Sequence, residues 1–217
     1  MSFCVALTDI DWSITKDVFS IVGTVMGAIG IGFAAYVGIV GLQTWKRQLR
    51  GTSHHELARK ALIELYKYRE SVERARSPAM MGSEMELRLE DEVALSFREK
   101  AYLRKCSGYQ KRFDTMTAAR APIHATLLES EALWGGELGE LFKPLFTMQN
   151  EFFLYVEYWL MASDPREDED YRRTYSDIIK GQPKIVFDKL DKEGDEFRQR
   201  FNVYVSEIEQ YLKPKLA

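Results

Sequence analysis

The chain has 217 residues, 46% of them hydrophobic, and its 30 basic side chains nearly balance 33 acidic ones, for a net charge of −3. Two cysteines exclude a disulfide framework, and three histidines with no cysteine at ligand spacing leave no metal site to propose. No stretch alternates with period two, so the expected class is all-α: a single N-terminal transmembrane helix, then a cytoplasmic bundle of about five to six helices.

The first 17 residues are acidic, with Asp9, Asp11 and Asp17 against Lys16. They form a short extracytoplasmic N-terminus, unlike the basic n-region of a signal peptide. Positions 18–45 hold 28 uncharged residues in succession. A helix rises about 1.5 Å per residue and a bilayer core is about 30 Å thick, so about 20 such residues suffice to span it. Trp12 and Trp45 bracket the span, and Lys46, Arg47, Arg50, Arg59 and Lys60 follow it as a basic membrane-surface cluster. Positive flanks stay inside, which places the N-terminus out and residues 46–217 in the cytoplasm. Cys4 and Cys106 then lie on opposite sides of the membrane and do not pair within one chain.

Within the span, Gly23, Gly27, Gly30, Ala34, Gly38 and Gly41 recur at intervals of three and four and form one stripe. Lipid tails are as apolar as leucine, so membrane helices associate by close packing, and small residues permit it. Two readings of the stripe stand: a homo-oligomeric packing seam, or a ring of helices around an axial pathway. A pathway would be lined by Ser20, Thr24, Gln43, Thr44 and apolar groups. Without an ionisable group it would gate by dewetting rather than by a charged filter.

Ser53 to Glu56 has the pattern of a capping box opening a helix that stops at Ser77-Pro78. Ser83 to Glu86 is a second box, ahead of a helix carrying Leu89, Val93, Phe97 and Ala101 and ending near Gly108. A third helix is expected over 109–134 with a bend at Pro122, and an aromatic-rich core helix over 138–161. Residues 164–170 read as a solvated acidic loop, followed by helices near 170–179 and 189–212.

Charge is divided along this domain. Residues 46–120 hold 17 basic and 11 acidic side chains, whereas 121–217 hold 12 and 19. Anionic headgroups account for the cations nearest the span. They do not account for Arg98, Lys100, Arg104, Lys105, Lys111 and Arg112, interleaved with Tyr102, Tyr109 and Phe113. Cations for phosphates beside aromatic faces for bases is the chemistry of single-stranded nucleic-acid or nucleotide binding. The alternative is a solvated face that pairs with the acidic half of the domain.

No catalytic residues and no cofactor are predicted. The P-loop, the dinucleotide glycine fingerprint and the G-x-S-x-G elbow are all missing. Arg50 and His55 match the loose arginine-x4-histidine pattern of HEPN-type ribonucleases, but Gly51 and a capping Ser53 would leave Arg50 outside the helix. Arg120 and His124 are one residue closer together, and His124 reads as a packed histidine at a helix bend.

The Gly-rich span from Gly23 to Gly41, the basic Trp45-Lys46-Arg47 and the helical remainder resemble the membrane effectors of bacterial anti-phage defence systems. The Hailong-type channel effector is the nearer likeness and the Cas13b-associated membrane pore the second. The resemblance implies a tetrameric channel in the bacterial inner membrane, controlled by single-stranded DNA oligomers or nucleotides from a partner nucleotidyltransferase. Two other functions remain open: a non-conducting membrane adaptor for a protein partner, and a membrane-tethered ribonuclease.

Overall fold

The computed structural model describes residues 9–87, 95–189 and 195–216. Cys4, Leu89 and Val93 lie outside the described residues, as do the side chains of Trp12 and Arg50. Among the described residues the chain is all-helical, with no strand. Five α-helices follow in order: α1 (Asp9–Ala75), α2 (Phe97–Trp134), α3 (Glu137–Ala162), α4 (Glu169–Ile179) and α5 (Glu196–Leu212). A short 3₁₀ turn, Lys213–Leu216, closes them. The chain divides into two compact units, 1–53 and 54–217.

In the first unit every described side chain of 16–49 is exposed, large apolar ones included. The second unit has one core. The last third of α1 contributes Ala58, Ala61, Leu65, Tyr68 and Val72, the three-and-four spacing that puts one helix face inward. The aromatic run that forms α3 lies at the centre, buries Phe142, Leu145, Met148, Phe152 and Val156, and packs against α2, α4 and α5. Phe197, Phe201, Val205, Ile208 and Leu212 supply the inward face of α5. Tyr68 crosses this core and donates to Gln149 Oε1 at 2.8 Å, so that two buried polar groups satisfy each other.

Helix ends correct several sequence expectations. Ser53 caps nothing: α1 runs through it, and its hydroxyl donates to Leu49 O four residues back, as Thr52 does to Gln48 O. Serine and threonine inside a helix satisfy themselves in this way. The box at Ser83 is also absent. Residues 82–85 form turns, and Glu84 instead accepts from Met81 N–H and pairs with Arg112. The capping box is Ser96–Glu99, with both reciprocal bonds made, and it opens α2.

No break occurs at Gly108, so the expected second and third helices are one. Gly108 is buried there, and a Cβ would lie 2.9 Å from Met80 Sδ. That close approach accounts for a glycine in mid-helix, where it costs about 1 kcal/mol relative to alanine. The helix ends at Gly135, whose φ of 82° suits glycine alone.

The stretch 164–170 is not wholly a solvated loop. Asp164 is buried and bridged by Arg166 through two hydrogen bonds to the guanidinium, and Asp168 caps α4. Helix α5 begins at Glu196, later than expected, because Asp195 caps it by accepting from Arg198 N–H.

Candidate functional site

Two places were singled out from the sequence: the uncharged stretch of α1 and the basic stretch of α2. On α1, Gly23, Gly27, Gly30, Ala34, Gly38 and Gly41 are all exposed. No atom beyond the helix's own backbone lies within 4 Å of a Cβ built on any of the five glycines. At about 100° per residue the six positions stay on one side of the helix. The expected pore-lining set does not share that side as a group. Ser20 borders the stripe, Thr24 and Thr44 flank it, and Gln43 falls across the helix from it. Thr24 Oγ1 donates to Ser20 O and Thr44 Oγ1 to Val40 O, each at 2.9 Å. Both hydroxyls are thereby satisfied within their own helix.

Beyond the stripe, Lys46 and Arg47 are exposed in the first unit, and Arg50 lies within α1 rather than ahead of it. In the second unit Arg59 is exposed, and Lys60 pairs with Glu129 at 3.1 Å. His54 accepts at Nδ1 from Trp134 Nε1–H at 2.8 Å, a bond that fixes its tautomer and gives it a packing role. His55 is exposed.

The basic stretch of α2 has lost most of what a nucleic-acid site needs. Arg112 is 3% exposed. It donates to the carbonyls of Ala75, Ser77 and Ala79 and to both oxygens of Glu84, and so folds the segment after α1 against α2. Lys111 Nζ donates to Ser83 O at 2.6 Å, and the Ser107 hydroxyl donates to Glu84 O and Glu86 O in the same segment.

Tyr109 is 1% exposed, walled by Trp159, Phe113 and the Arg112 guanidinium, and burial pushes its hydroxyl up to about 12. Tyr102 is half-buried under the Arg166 guanidinium, 5.3 Å from its ring, and burial raises its hydroxyl too. Tyr109 therefore offers no free face for a base to stack on, and Arg166 occupies one face of Tyr102. Lys105 lies 5.6 Å above the Trp159 ring, and Arg104 is also engaged. Arg98 and Lys100 remain, without a side-chain partner among the described residues.

The acids around this stretch respond to those partners. Hydrogen bonding to Arg166 holds the Asp164 carboxyl below its usual range, and hydrogen bonding to Arg112 does the same for Glu84. Burial pushes the Cys106 thiol up, so that it is a poor nucleophile at neutral pH.

Comparison with known proteins assigns no relative: no protein-family model matches the chain, and no curated protein or solved structure does so at a significant level. The site therefore rests on its own geometry.

Sequence reasoning missed two buried arginines. Besides Arg112 there is Arg76, 3% exposed, which pairs with Asp195, donates to Ile185 O and Phe187 O, and lies 4.2 Å above the Phe197 ring. Arg76–Asp195 and Lys60–Glu129 each join the basic half to the acidic half. Part of the charge division is thus spent inside the domain. Arg120 and His124 do meet, with Arg120 Nε donating to His124 Nε2 at 3.0 Å and both packed on Phe146. His124 is exposed rather than enclosed.

Proposed function

We propose that the chain is a homo-oligomeric, single-pass membrane effector whose spans assemble along the small-residue stripe into a pore controlled by the helical domain. The observation that carries this is the state of α1. It contains a window with a mean hydropathy of 2.0, none of which is buried. From Gly23 to Gly41 a narrow stripe of that same apolar helix carries only glycine and alanine, with nothing packed against it. Lipid accounts for the apolar surface. It does not account for six small residues in register, each of which except Ala34 weakens the helix. Close approach of a second copy does account for them.

On this reading the N-terminus faces out of the bacterial cell membrane and residues 54–217 face the cytoplasm, the side that Lys46 and Arg47 favour. Conduction would pass a narrow apolar constriction, since no Asp, Glu, Lys, Arg or His falls between 18 and 45. Such a gate opens by wetting when the helices separate, and a ligand-binding domain on the chain supplies a means of separating them. Depolarisation of the cell during phage infection is the output that the resemblance to defence effectors implies. A nucleic-acid ligand on α2 would be held mainly by charge, since Tyr109 is buried and Arg166 covers one face of Tyr102.

The test is subunit number and dye or ion leakage from liposomes carrying the purified protein, for wild type and for Gly30→Leu and Ala34→Leu. Assembly and leakage should fail together in both variants. A wild-type protein that never leaks, with or without single-stranded DNA oligomers or nucleotides, overturns the pore and leaves a membrane anchor for a partner protein.

A further inference from the structure

A cavity of about 410 Å³ opens where the middle of α3, the segment 182–185 and the first turn of α5 meet. Its volume falls in the range of about 300–1,000 Å³ typical of small-molecule sites. Tyr155, Tyr158 and Phe197 form aromatic walls, with Leu154 and Ile185 adding apolar surface. Tyr155 is only 6% exposed, and its hydroxyl, on the cavity lining, has no hydrogen-bond partner among the described residues. That hydroxyl is not enclosed by protein and is free to bond a polar group of a ligand.

Three charged side chains line the same cavity: Glu151, Glu196 and Arg200. None has an ion-pair partner among the described residues. Glu196 and Arg200 stand four apart on α5, the spacing at which Arg69–Glu73, Arg74–Glu70, Arg173–Glu169 and Lys213–Glu209 do pair. The neighbouring Asp195 is already committed to Arg76. All three are exposed, so the cavity presents both signs of charge at its rim, neither spent on an ion pair, beside an apolar floor.

That combination narrows the ligand. A polyanion such as a nucleoside triphosphate meets two carboxylates against one guanidinium and is disfavoured. A simple cation leaves Arg200 unmatched, and a simple anion leaves both carboxylates unmatched. We propose that this cavity binds a small zwitterion, an α-amino acid with a large apolar side chain. Its ammonium is held by Glu151 and Glu196, its carboxylate by Arg200 and its side chain by the tyrosine and phenylalanine walls. Ammonium over a tyrosine face adds cation–π attraction. The site lies wholly within the helical domain and does not depend on whether α1 conducts.

The test is calorimetric titration of the full-length protein in nanodiscs with L-phenylalanine and L-leucine, phenethylamine (no carboxylate) and 3-phenylpropanoate (no ammonium). One L-phenylalanine or L-leucine should bind per chain. Each single-charge analogue should bind at least about tenfold more weakly, because it forgoes the charge-assisted hydrogen bonds at one end of the site. Arg200→Gln should reduce amino-acid binding to the level of phenethylamine and leave phenethylamine itself unchanged. Tyr155→Phe, which keeps the ring, should weaken the amino acid alone if the hydroxyl is used. Absence of binding by both amino acids, equal binding of the analogues, or indifference to Arg200→Gln overturns the proposal. Because binding is read directly, a failed pore and a failed site are distinguishable.

Discussion

Replacement of Arg112 by methionine separates a structural arginine from a ligand-binding one. Methionine keeps the length and apolar stem of the side chain but removes every donor. The carbonyls of Ala75, Ser77 and Ala79 and the Glu84 carboxylate lose their partner at once. Breaking a buried ion pair from one side costs about 3–5 kcal/mol. The Glu84 side chain keeps 19% exposure and can rehydrate, and the carbonyls can recruit water, so about 4 kcal/mol is a fair central value. Against a typical total of about 5–15 kcal/mol, that is a large fraction. For a chain of this size about 1 kcal/mol moves Tm by about 2–4 °C, so the melting point should fall by about 8–16 °C. Thermal melting in detergent, read from tryptophan fluorescence, is suited to this, because Trp134 and Trp159 both pack in the helical domain. Arg98→Gln, exposed on the same helix, should change stability by no more than about 0.5 kcal/mol. If Arg112→Met melts within about 3 °C of wild type, the arginine is not structural, and its place in a ligand face of α2 must be restored.

Asp195→Ala should be as severe, because it strands the buried Arg76 and removes the α5 cap, a further loss of about 1 kcal/mol; the same melting assay reads it. Gly108→Val places branched carbon against Met80 and should destabilise by about 1–3 kcal/mol in denaturant titration, whereas Gly108→Ala asks only the end of a flexible side chain to move and should be nearly neutral. Acid sensitivity follows from Glu84 and Asp164. Their folded pKa values are lowered by Arg112 and Arg166, so the unfolded state binds more protons in the acid range. The stability they contribute is fully present only above about pH 5, clear of their unfolded values, and is lost as pH falls through their folded values. In a pH series of melts, the deficit of the double variant Glu84→Gln, Asp164→Asn should therefore shrink below about pH 4; a constant deficit would contradict the assignment.

Elements with a strong local pattern were legible from residues alone. The aromatic run expected over 138–161 is Glu137–Ala162, and the helix expected near 170–179 is Glu169–Ile179. Both have local signals strong enough to carry the helix, in α3 even past Pro144. Errors arose where a local rule was outweighed by contacts distant in sequence. Gly108 looks like a stop, but Met80 fills the space a side chain would take. Ser53 looks like a cap, but the helix before it is already formed and gives it a carbonyl to bond. The true cap at Ser96 carries the same S-x-x-E signature and lay inside a run of apolar spacing that seemed already helical. The roles of Arg76 and Arg112 had no signature. Most of their partners are backbone carbonyls in irregular segments at 75–79 and 185–187, whose path no periodicity encodes. A cluster of cations in sequence thus looked like a ligand face, when its most enclosed member binds the protein's own backbone.

The exposed surface of α1 is the remaining imbalance, and it fixes what the stripe has to explain. More than a dozen large apolar side chains between Val18 and Trp45 are exposed. In water each would forgo about 1.5–3 kcal/mol of burial, a total beyond the whole stability of an ordinary domain, and the helix is long and apolar enough to cross a membrane. On the proposed reading lipid covers the apolar residues and a second copy covers the small ones. Exchange of 18–44 for a leucine helix of equal length separates these demands. Lipid burial is kept, the basic flank at Lys46 and Arg47 keeps the orientation, and the core of the helical domain, which begins at Leu57, is untouched. Only the close-packing surface is lost. The exchanged protein should fractionate with membranes and melt like wild type, yet run as a smaller species in detergent and fail to leak from liposomes. If it assembles and leaks as before, the stripe is incidental and association belongs to residues 54–217. If wild type and exchanged protein both assemble and neither leaks, the span is an anchor, and the helical domain with its two-signed cavity is the working part of the chain.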